Sequence, residues 1–386
     1  MSWQTVQLAE VADIERKGVD PSNIDPDTNY LGLENIESGG RIISCQRVQN
    51  GELASTKFQF GPDHVLYGKL RPYLAKIALP DFEGICSTDI LPVRPGPKLD
   101  RSFLAHSLRQ PRLVDFASSR STGANLPRLS PKALGAFEIP LPTLDEQKRI
   151  AGILDQADAL RRLRAQALDK LNTLGQAIFH EMFGDPLNDH LSTAGWVCEP
   201  LDRNTHYIDY RGKTPPKAED GIRLITAKNV RMGSINLEPM EFIESEAYDT
   251  WMTRGFPQKG DVLFTTEAPL GNVAILDSSE KLVVGQRLIT MQPDQSKILS
   301  EYLAFFLRSH GFVRKMIENS SGSTVRGIKS RLLKKIEICY PPLHTQSQFA
   351  KSLHQVTKLA KRAEISKMSS ECLFASLQHC AFRGEF

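Results

Sequence analysis

No run of apolar residues in this sequence approaches the ~20 that a membrane span requires. The first residues, Met1-Ser2-Trp3-Gln4, offer neither the basic nor the apolar stretch that directs secretion. Cysteine is sparse. The six cysteines, at 45, 86, 198, 339, 372 and 380, form no CxxC pair and no Cys/His metal spacing. They predict reduced, mostly buried thiols of a cytoplasmic protein, with no metal site. Neither sign of charge dominates: 48 Lys+Arg against 45 Asp+Glu leave a net charge of +3. That balance alone does not mark a nucleic-acid binder.

Catalytic motifs are missing as well. Gly212-Lys213-Thr214 resembles the end of a phosphate-binding loop, but position 207 is Tyr where its first glycine belongs. Pro215-Pro216 would also break the helix that must follow. Tyr340-Pro341-Pro342-Leu343 lacks the leading Asn or Asp with which an amino-methyltransferase would hold its target amine. A metal-dependent nuclease core needs clustered carboxylates. Pro62-Asp63 and Pro80-Asp81 are present, but Glu15-Arg16-Lys17 lies upstream of both. The histidines show no HxH or HExxH spacing, and no GxSxG elbow occurs. The chain reads as non-catalytic, with no catalytic residue and no cofactor of its own.

What the sequence does contain is a repeat. A shift of 199 residues lays Leu104–Ala151 over Leu303–Ala350 without a gap, and 14 of the 48 pairs are identical. Unrelated sequences would give about three. The identities include Arg109/Arg308, Gly123/Gly322, Pro142/Pro341 and Gln147/Gln346. Further forward, Trp196 answers Trp3 and Asn229 answers Asn35, so the offset drifts and the front halves have diverged. The duplication predicts an α+β chain: a globular unit at 1–142, a helix at 143–184, a second unit at 185–341 and a second helix at 342–386. Such a molecule would be pseudo-two-fold.

In each unit, short strands alternate with Gly/Pro turns such as Gly39-Gly40, Asn50-Gly51 and Pro95-Gly96-Pro97. Strands are expected at 42–43, 65–67, 90–93 and 134–141, with helices at 102–116 and 301–316. Polar loops are expected at 118–131 and 320–329. From Ile150 the apolar residues keep a 3-4 spacing through Ile153, Ala157, Leu160, Leu171, Leu174 and Ile178. The second helix repeats it more weakly with Phe349, Val356, Leu359, Leu373 and Leu377. Thr143 with Glu146 has the pattern of a capping box. Each stripe can be closed by the other in an antiparallel coiled coil. Forty residues of helix would reach ~60 Å. The alternative, which the sustained seam disfavours, is that each helix simply packs on its own unit.

Positive charge recurs in step with the repeat. Residues 109–136 hold five Lys/Arg against Asp115 alone, and 308–335 hold eight against Glu318 alone. One such strip would be a solvated helix face. Its recurrence at the same place in both copies brings an anion-facing surface level with that reading.

Three sets of residues then resemble a known family. They are Tyr67-Gly68-Lys69-Leu70-Arg71-Pro72-Tyr73-Leu74; Ser121-Thr122-Gly123 with Leu126-Pro127; and Ile139–Pro142 running into Glu146–Ile150. The second copy adds Tyr210–Pro215, Gly260–Leu263 and the ending Ala381–Phe386. Together, and in the order unit–helix–unit–helix, they resemble the specificity subunit of type I restriction–modification systems. The resemblance implies two target-recognition domains, each reading half of a split site in double-stranded DNA. It also implies helices that set the spacing and dock two methylation subunits. S-adenosylmethionine, ATP and Mg would belong to those partners and to motor/endonuclease subunits. On this reading the DNA face of the first domain is lined by Lys69, Arg71, Tyr73, Arg120, Asn125 and Arg128. That of the second is lined by Arg211, Lys213, Lys228, Arg231, Gln286, Arg287, Thr324, Arg326 and Lys329. The competing reading is a duplicated, non-enzymatic protein-binding scaffold.

Overall fold

The structure, a computed structural model, describes residues 3–49, 53–188, 195–210, 215–322 and 325–385. Arg211, Lys213, Thr324 and the Asn50-Gly51 turn lie outside the described residues. The chain divides into two compact units, Met1–Gln166 with Glu364–Phe386, and Ala167–Ala363. Both long helices, Leu144–Phe183 and Leu343–Ala381, are divided between the units.

Each unit is built on a four-stranded sheet of the same order. In the first it runs Ala12–Ile14, Ile90–Pro95, Val65–Gly68, Ile77–Ala78; in the second Thr205–Asp209, Leu288–Pro293, Val262–Thr266, Leu270–Ile275. All neighbours are antiparallel, with Val93 set against both Ile14 and Val65, and Met291 against both Tyr207 and Val262. The inner strands are apolar nearly throughout, because both faces are covered. The second sheets differ, as the drifting offset anticipated. Among the described residues the first unit has five strands there and the second has three.

Local chemistry corrects several sequence expectations. The helix expected over 102–116 is two, Arg101–Leu108 and Pro111–Ser119. Pro111 cannot extend the first and instead sits in the first turn of the second. The second copy breaks likewise into Ser300–Phe306 and His310–Glu318, where the Ser309 hydroxyl accepts from Phe312 N–H. The strand expected over 134–141 shortens to Glu138–Pro140, because Ser130 caps a helix at Pro131–Gly135. Ile42 makes only a single bridge, to Ile36. Thr143 accepts from Glu146 N–H, but the Glu146 carboxylate turns to Arg149, so the box is not closed.

The thiol expectation fails. Strands Val197–Pro200 and Glu337–Tyr340 pair antiparallel with Cys198 opposite Cys339, and the two form a disulfide. Sequence cannot see this, because 141 residues separate them. Of the free cysteines, Cys86 is buried while Cys45 and Cys372 are exposed.

The helices close on each other and on the units. Within the first unit the Arg161 guanidinium lies over the Phe374 ring, and Arg164 donates to Ser366 O. Within the second, Gly175 faces Leu353 so closely that a β-carbon would stand 3.0 Å from its Cδ1. Partners run in opposite order along the two helices, which makes the pair antiparallel. Ile150, Ala151 and Leu154 also enter the first core with Phe103 and Phe137, and Phe179, Phe183 and Phe349 enter the second with Tyr302 and Phe305. The inner face of the first helix therefore steps by four residues, through 150, 154 and 158 and through 175, 179 and 183. A strict heptad drifts off it. Leu160, Leu174, Leu359 and Leu373, expected inside, are exposed; Ile150, Phe349 and Val356 are buried, and Ile153, Ala157, Leu171, Ile178 and Leu377 are half-buried.

Gln147 and Gln346 show why parts of the repeat stayed identical. Both are wholly buried. Gln147 Oε1 accepts from Asp100 N–H at 2.8 Å, and its amide donates to Lys98 O and Pro142 O, both at 2.9 Å. Gln346 does the same with Leu299 N–H, Lys297 O and Pro341 O. Each ties the start of a long helix to the turn leading from the sheet to the helices. Gln147→Leu would strand a buried N–H and two carbonyls. We expect a loss of about 3 kcal/mol, read from denaturant midpoints.

Candidate nucleic-acid interface

In the first unit the strand Val65–Gly68 runs out into a loop that a second loop holds by backbone bonds. Leu129 N–H donates to Lys69 O at 2.9 Å, Lys69 N–H to Asp89 O at 2.9 Å, and Arg71 N–H to Pro127 O at 2.8 Å. Thr122 and Arg128 exchange both their backbone bonds, at 3.1 and 2.9 Å. The chain turns sharply at two places. Arg71 takes the left-handed region, with φ +51°, and Gly123 has φ +105°. This zippered pair of loops brings together Lys69, Arg71, Tyr73, Arg120, Asn125 and Arg128. Lys69 is half-buried and the other five are exposed. The Arg120 guanidinium lies 5.2 Å over the Phe116 ring. Arg128 Nε and Nη2 hold Asp89 at 3.0 and 3.4 Å. That carboxylate raises the affinity of the guanidinium for its proton. Among the described residues Lys69 and Arg71 make no ion pair.

The second unit repeats the backbone with other side chains. Thr266 N–H donates to Arg287 O at 2.9 Å, matching Lys69 to Asp89, and Glu267 bridges to Gly327 as Leu70 does to Arg128. Ala268, followed by Pro269, takes φ +47° where Arg71-Pro72 takes +51°. Hence the segment Thr265–Leu270 is the counterpart of the Lys-Leu-Arg-Pro-Tyr stretch in shape, though not in chemistry. The expected loop 320–329 is a small hairpin, Ser320–Ser321 against Gly327–Ile328. Thr266, Glu267, Gln286, Arg287, Val325 and Lys329 line a shallow cavity of about 450 Å³ beside it. Arg287, Arg326 and Lys329 are exposed and Gln286 half-buried. Arg287 Nε lies 2.9 Å from Glu267 Oε1.

Lys228 and Arg231 belong to a neighbouring feature. Asn229 ties its turn with bonds from Thr226 N–H and to Asn236 O and Pro239 O. The hairpin Val230–Arg231/Ser234–Ile235 that follows is fastened to strand Leu270–Ile275 by Asn272 and Gly233. Both cations are exposed.

The repeated basic strip was misleading at one position. Arg109, identical in the repeat to Arg308, is half-buried and donates to Ile77 O at 3.1 and 2.6 Å. Burial lowers its guanidinium to about 10, and Asp158 opposes the shift. Arg308 lies 4.5 Å from the Phe305 ring centre. These two arginines hold scaffold, whereas the cations that differ between the copies face solvent. Sequence reasoning missed the carboxylates Asp89 and Glu267. A search for cations alone passes over acids that orient them.

Gly322, the partner of Gly123 in the repeat, has φ +111°, and a β-carbon there would run into the Val325 carbonyl oxygen. Gly322→Ala should open the hairpin while leaving the core intact. We expect faster proteolytic cleavage in this hairpin at a near-wild-type Tm, from limited proteolysis beside a thermal melt.

Among the described residues no helix is long and apolar enough to cross a membrane, and no three His, Cys, Asp or Glu gather to hold a metal ion. Comparison with known proteins follows the same architecture. The chain is 31% identical over 206 residues to the type I restriction enzyme EcoDI specificity subunit of Escherichia coli, a match covering 52% of this chain and 45% of that protein. It is 24% identical to the EcoKI specificity subunit of Escherichia coli K12, covering 89% of this chain and 82% of the relative. A putative specificity subunit, MjaX, of Methanocaldococcus jannaschii is 22% identical, over 92% and 87%. The type I restriction–modification S subunit from M. genitalium shares the fold with a TM-score of 0.60 at 16% identity, over 99% of this chain and 96% of that one. A chain from a structure of type I restriction–modification complex assembly also scores 0.60, at 22% identity over 100% and 98%. Residues 1–173 and 230–367 match the family described as the type I restriction modification DNA specificity domain, and this chain belongs to it.

Proposed function

We propose that this chain is the non-catalytic, sequence-reading subunit of a cytoplasmic type I restriction–modification complex. Each unit reads one half of a split site in double-stranded DNA. The observation that carries this reading is the pairing of one repeated backbone with two unlike exposed loop surfaces. A duplicated scaffold for a single repeated partner would keep its exposed residues and not only its buried ones. Here the buried Gln147/Gln346 are kept, and so are Gly123/Gly322 because their turns need positive φ, while Lys69-Leu70-Arg71 has become Thr266-Glu267-Ala268. Unpaired cations on loops suit phosphates, and polar side chains among them suit base edges.

In the same reading the antiparallel helices are the ruler between half-sites. Centres one or two helical turns apart, ~34–70 Å, lie within reach of the ~60 Å that forty helical residues span. Leu160, Leu174, Leu359 and Leu373, exposed where a closed seam would bury them, offer apolar contact to two methylation subunits. S-adenosylmethionine, ATP and Mg are assigned to those subunits and to a motor/endonuclease subunit. This chain supplies recognition and its partners supply chemistry.

The test is co-purification followed by DNA binding. The chain should co-elute with a methylation subunit, and that complex should retard duplex DNA. A complex that forms but leaves duplex DNA unbound would favour the protein-scaffold reading.

A further inference from the structure

Each unit carries one exposed Arg–carboxylate pair where its two loops meet, and the two pairs occupy the scaffold differently. In the first unit the acid, Asp89, precedes the strand Ile90–Pro95, and Arg128 comes from the second loop. In the second unit the arginine, Arg287, stands at the Asp89 position before Leu288–Pro293, and the acid, Glu267, stands at the Leu70 position. Backbone bonds fix the equivalence, since Lys69 N–H meets Asp89 O as Thr266 N–H meets Arg287 O.

Stability does not account for such pairs. Arg128 and Arg287 are 45% and 54% exposed, and pairs this open contribute little to folding. Phosphate attraction does not account for them either, since a carboxylate cancels the charge that a phosphate would seek. What the acid does supply is orientation. Glu267 meets Arg287 at Nε, a contact that leaves the end-on donors of the two terminal amino groups for a ligand. Asp89 takes Arg128 side-on through Nε and one hydrogen of Nη2, which leaves the second Nη2 hydrogen and Nη1 as an end-on pair of donors. A fixed guanidinium fork on a half-exposed loop has the geometry that meets O6 and N7 of guanine in the major groove.

We infer that Arg128 and Arg287 are the guanine readers of the first and second units, with Asp89 and Glu267 as their positioning residues. This rests on the reading of the units as two DNA-recognition domains. Each half-site then contains a guanine, approached from the second loop in one unit and from the strand turn in the other.

The experiment maps methylated adenines made in cells by the full complex carrying Arg287→Gln or Arg128→Gln. A glutamine pairs with adenine rather than guanine. Each variant should relax or exchange G for A at one position of one half only, with discrimination there falling roughly 10- to 100-fold. Glu267→Gln should weaken the same position and Glu267→Asp should restore it. A purely structural pair would not give a G-to-A change. Should a glutamine variant fold poorly, the exchanged pair Glu267→Arg with Arg287→Glu keeps both charges. That variant should lose its guanine while the other half-site stays unchanged. An unchanged motif in all these variants, or a uniform loss of methylation in a stably folded exchanged pair, would overturn the inference and leave the two-domain reading standing. A wild-type complex that marks no divided motif would overturn that reading itself, and the inference with it.

Discussion

Reversing Lys69, Arg71 and Arg120 to Glu in one chain will abolish methylation by the assembled complex, although only the first unit is altered. All three lie on the zippered loops, two are exposed and one half-buried, and Arg71 and Lys69 make no ion pair among the described residues. Removing three phosphate contacts near physiological salt lowers affinity by roughly 10²-fold, and reversal of sign adds repulsion. The slope of log K against log salt should fall by about 0.9 for each phosphate no longer neutralised. Arg326→Glu with Lys329→Glu in the second unit should act in the same direction with a smaller change of slope. On the proposed function, a complex that must hold both half-sites is disabled by the loss of either one. Titration at several salt concentrations, with a thermal melt to show intact folding, checks this.

The largest expected effect on stability lies at the far end of the first helix. Phe179 is wholly buried, and its ring sits 5.0–6.1 Å from those of Phe183, Tyr302, Phe305 and Phe349. Those five rings join two helices to the helix Ser300–Phe306 of the second unit. Phe179→Ala removes the central ring and leaves a cavity that rigid neighbours cannot fill. A loss of about 4 kcal/mol is expected, measured by chemical denaturation. Leu160→Ala on the exposed face of the same helix should cost well under 1 kcal/mol of chain stability. That contrast separates the inner face from the one left to partners.

Much of the fold is legible in the amino-acid sequence. The inner strands of the first four-stranded sheet, near 65–67 and 90–93, the two long helices and the polar segment at 118–131 follow from periodicity, turn residues and the repeat, whereas the outer strands Ala12–Ile14 and Ile77–Ala78 and the hairpin within 320–329 do not. The helix face is legible only in part. Heptad counting assumes that a helix buries itself against one partner helix, whereas Leu154 and Phe179 turn toward globular cores and shift the inner face by a residue. The Cys198–Cys339 bond and the Asp89–Arg128 and Glu267–Arg287 pairs are not legible, because each depends on strand register or loop closure between distant segments. Identity within the repeat also misleads where it is read as function. Arg109 and Arg308 match because the scaffold needs them, and residues that differ between the copies carry the proposed recognition.

The most direct test of two readings carried on one scaffold is a genome-wide map of methylated adenines, with and without this chain, in cells that hold its methylation partner. The account predicts a single motif of two specified blocks separated by unspecified bases, present only with the chain. It also predicts that variants in the first unit alter one block and variants in the second unit the other. A contiguous motif, or one whose two blocks change together when a single unit is varied, would contradict it.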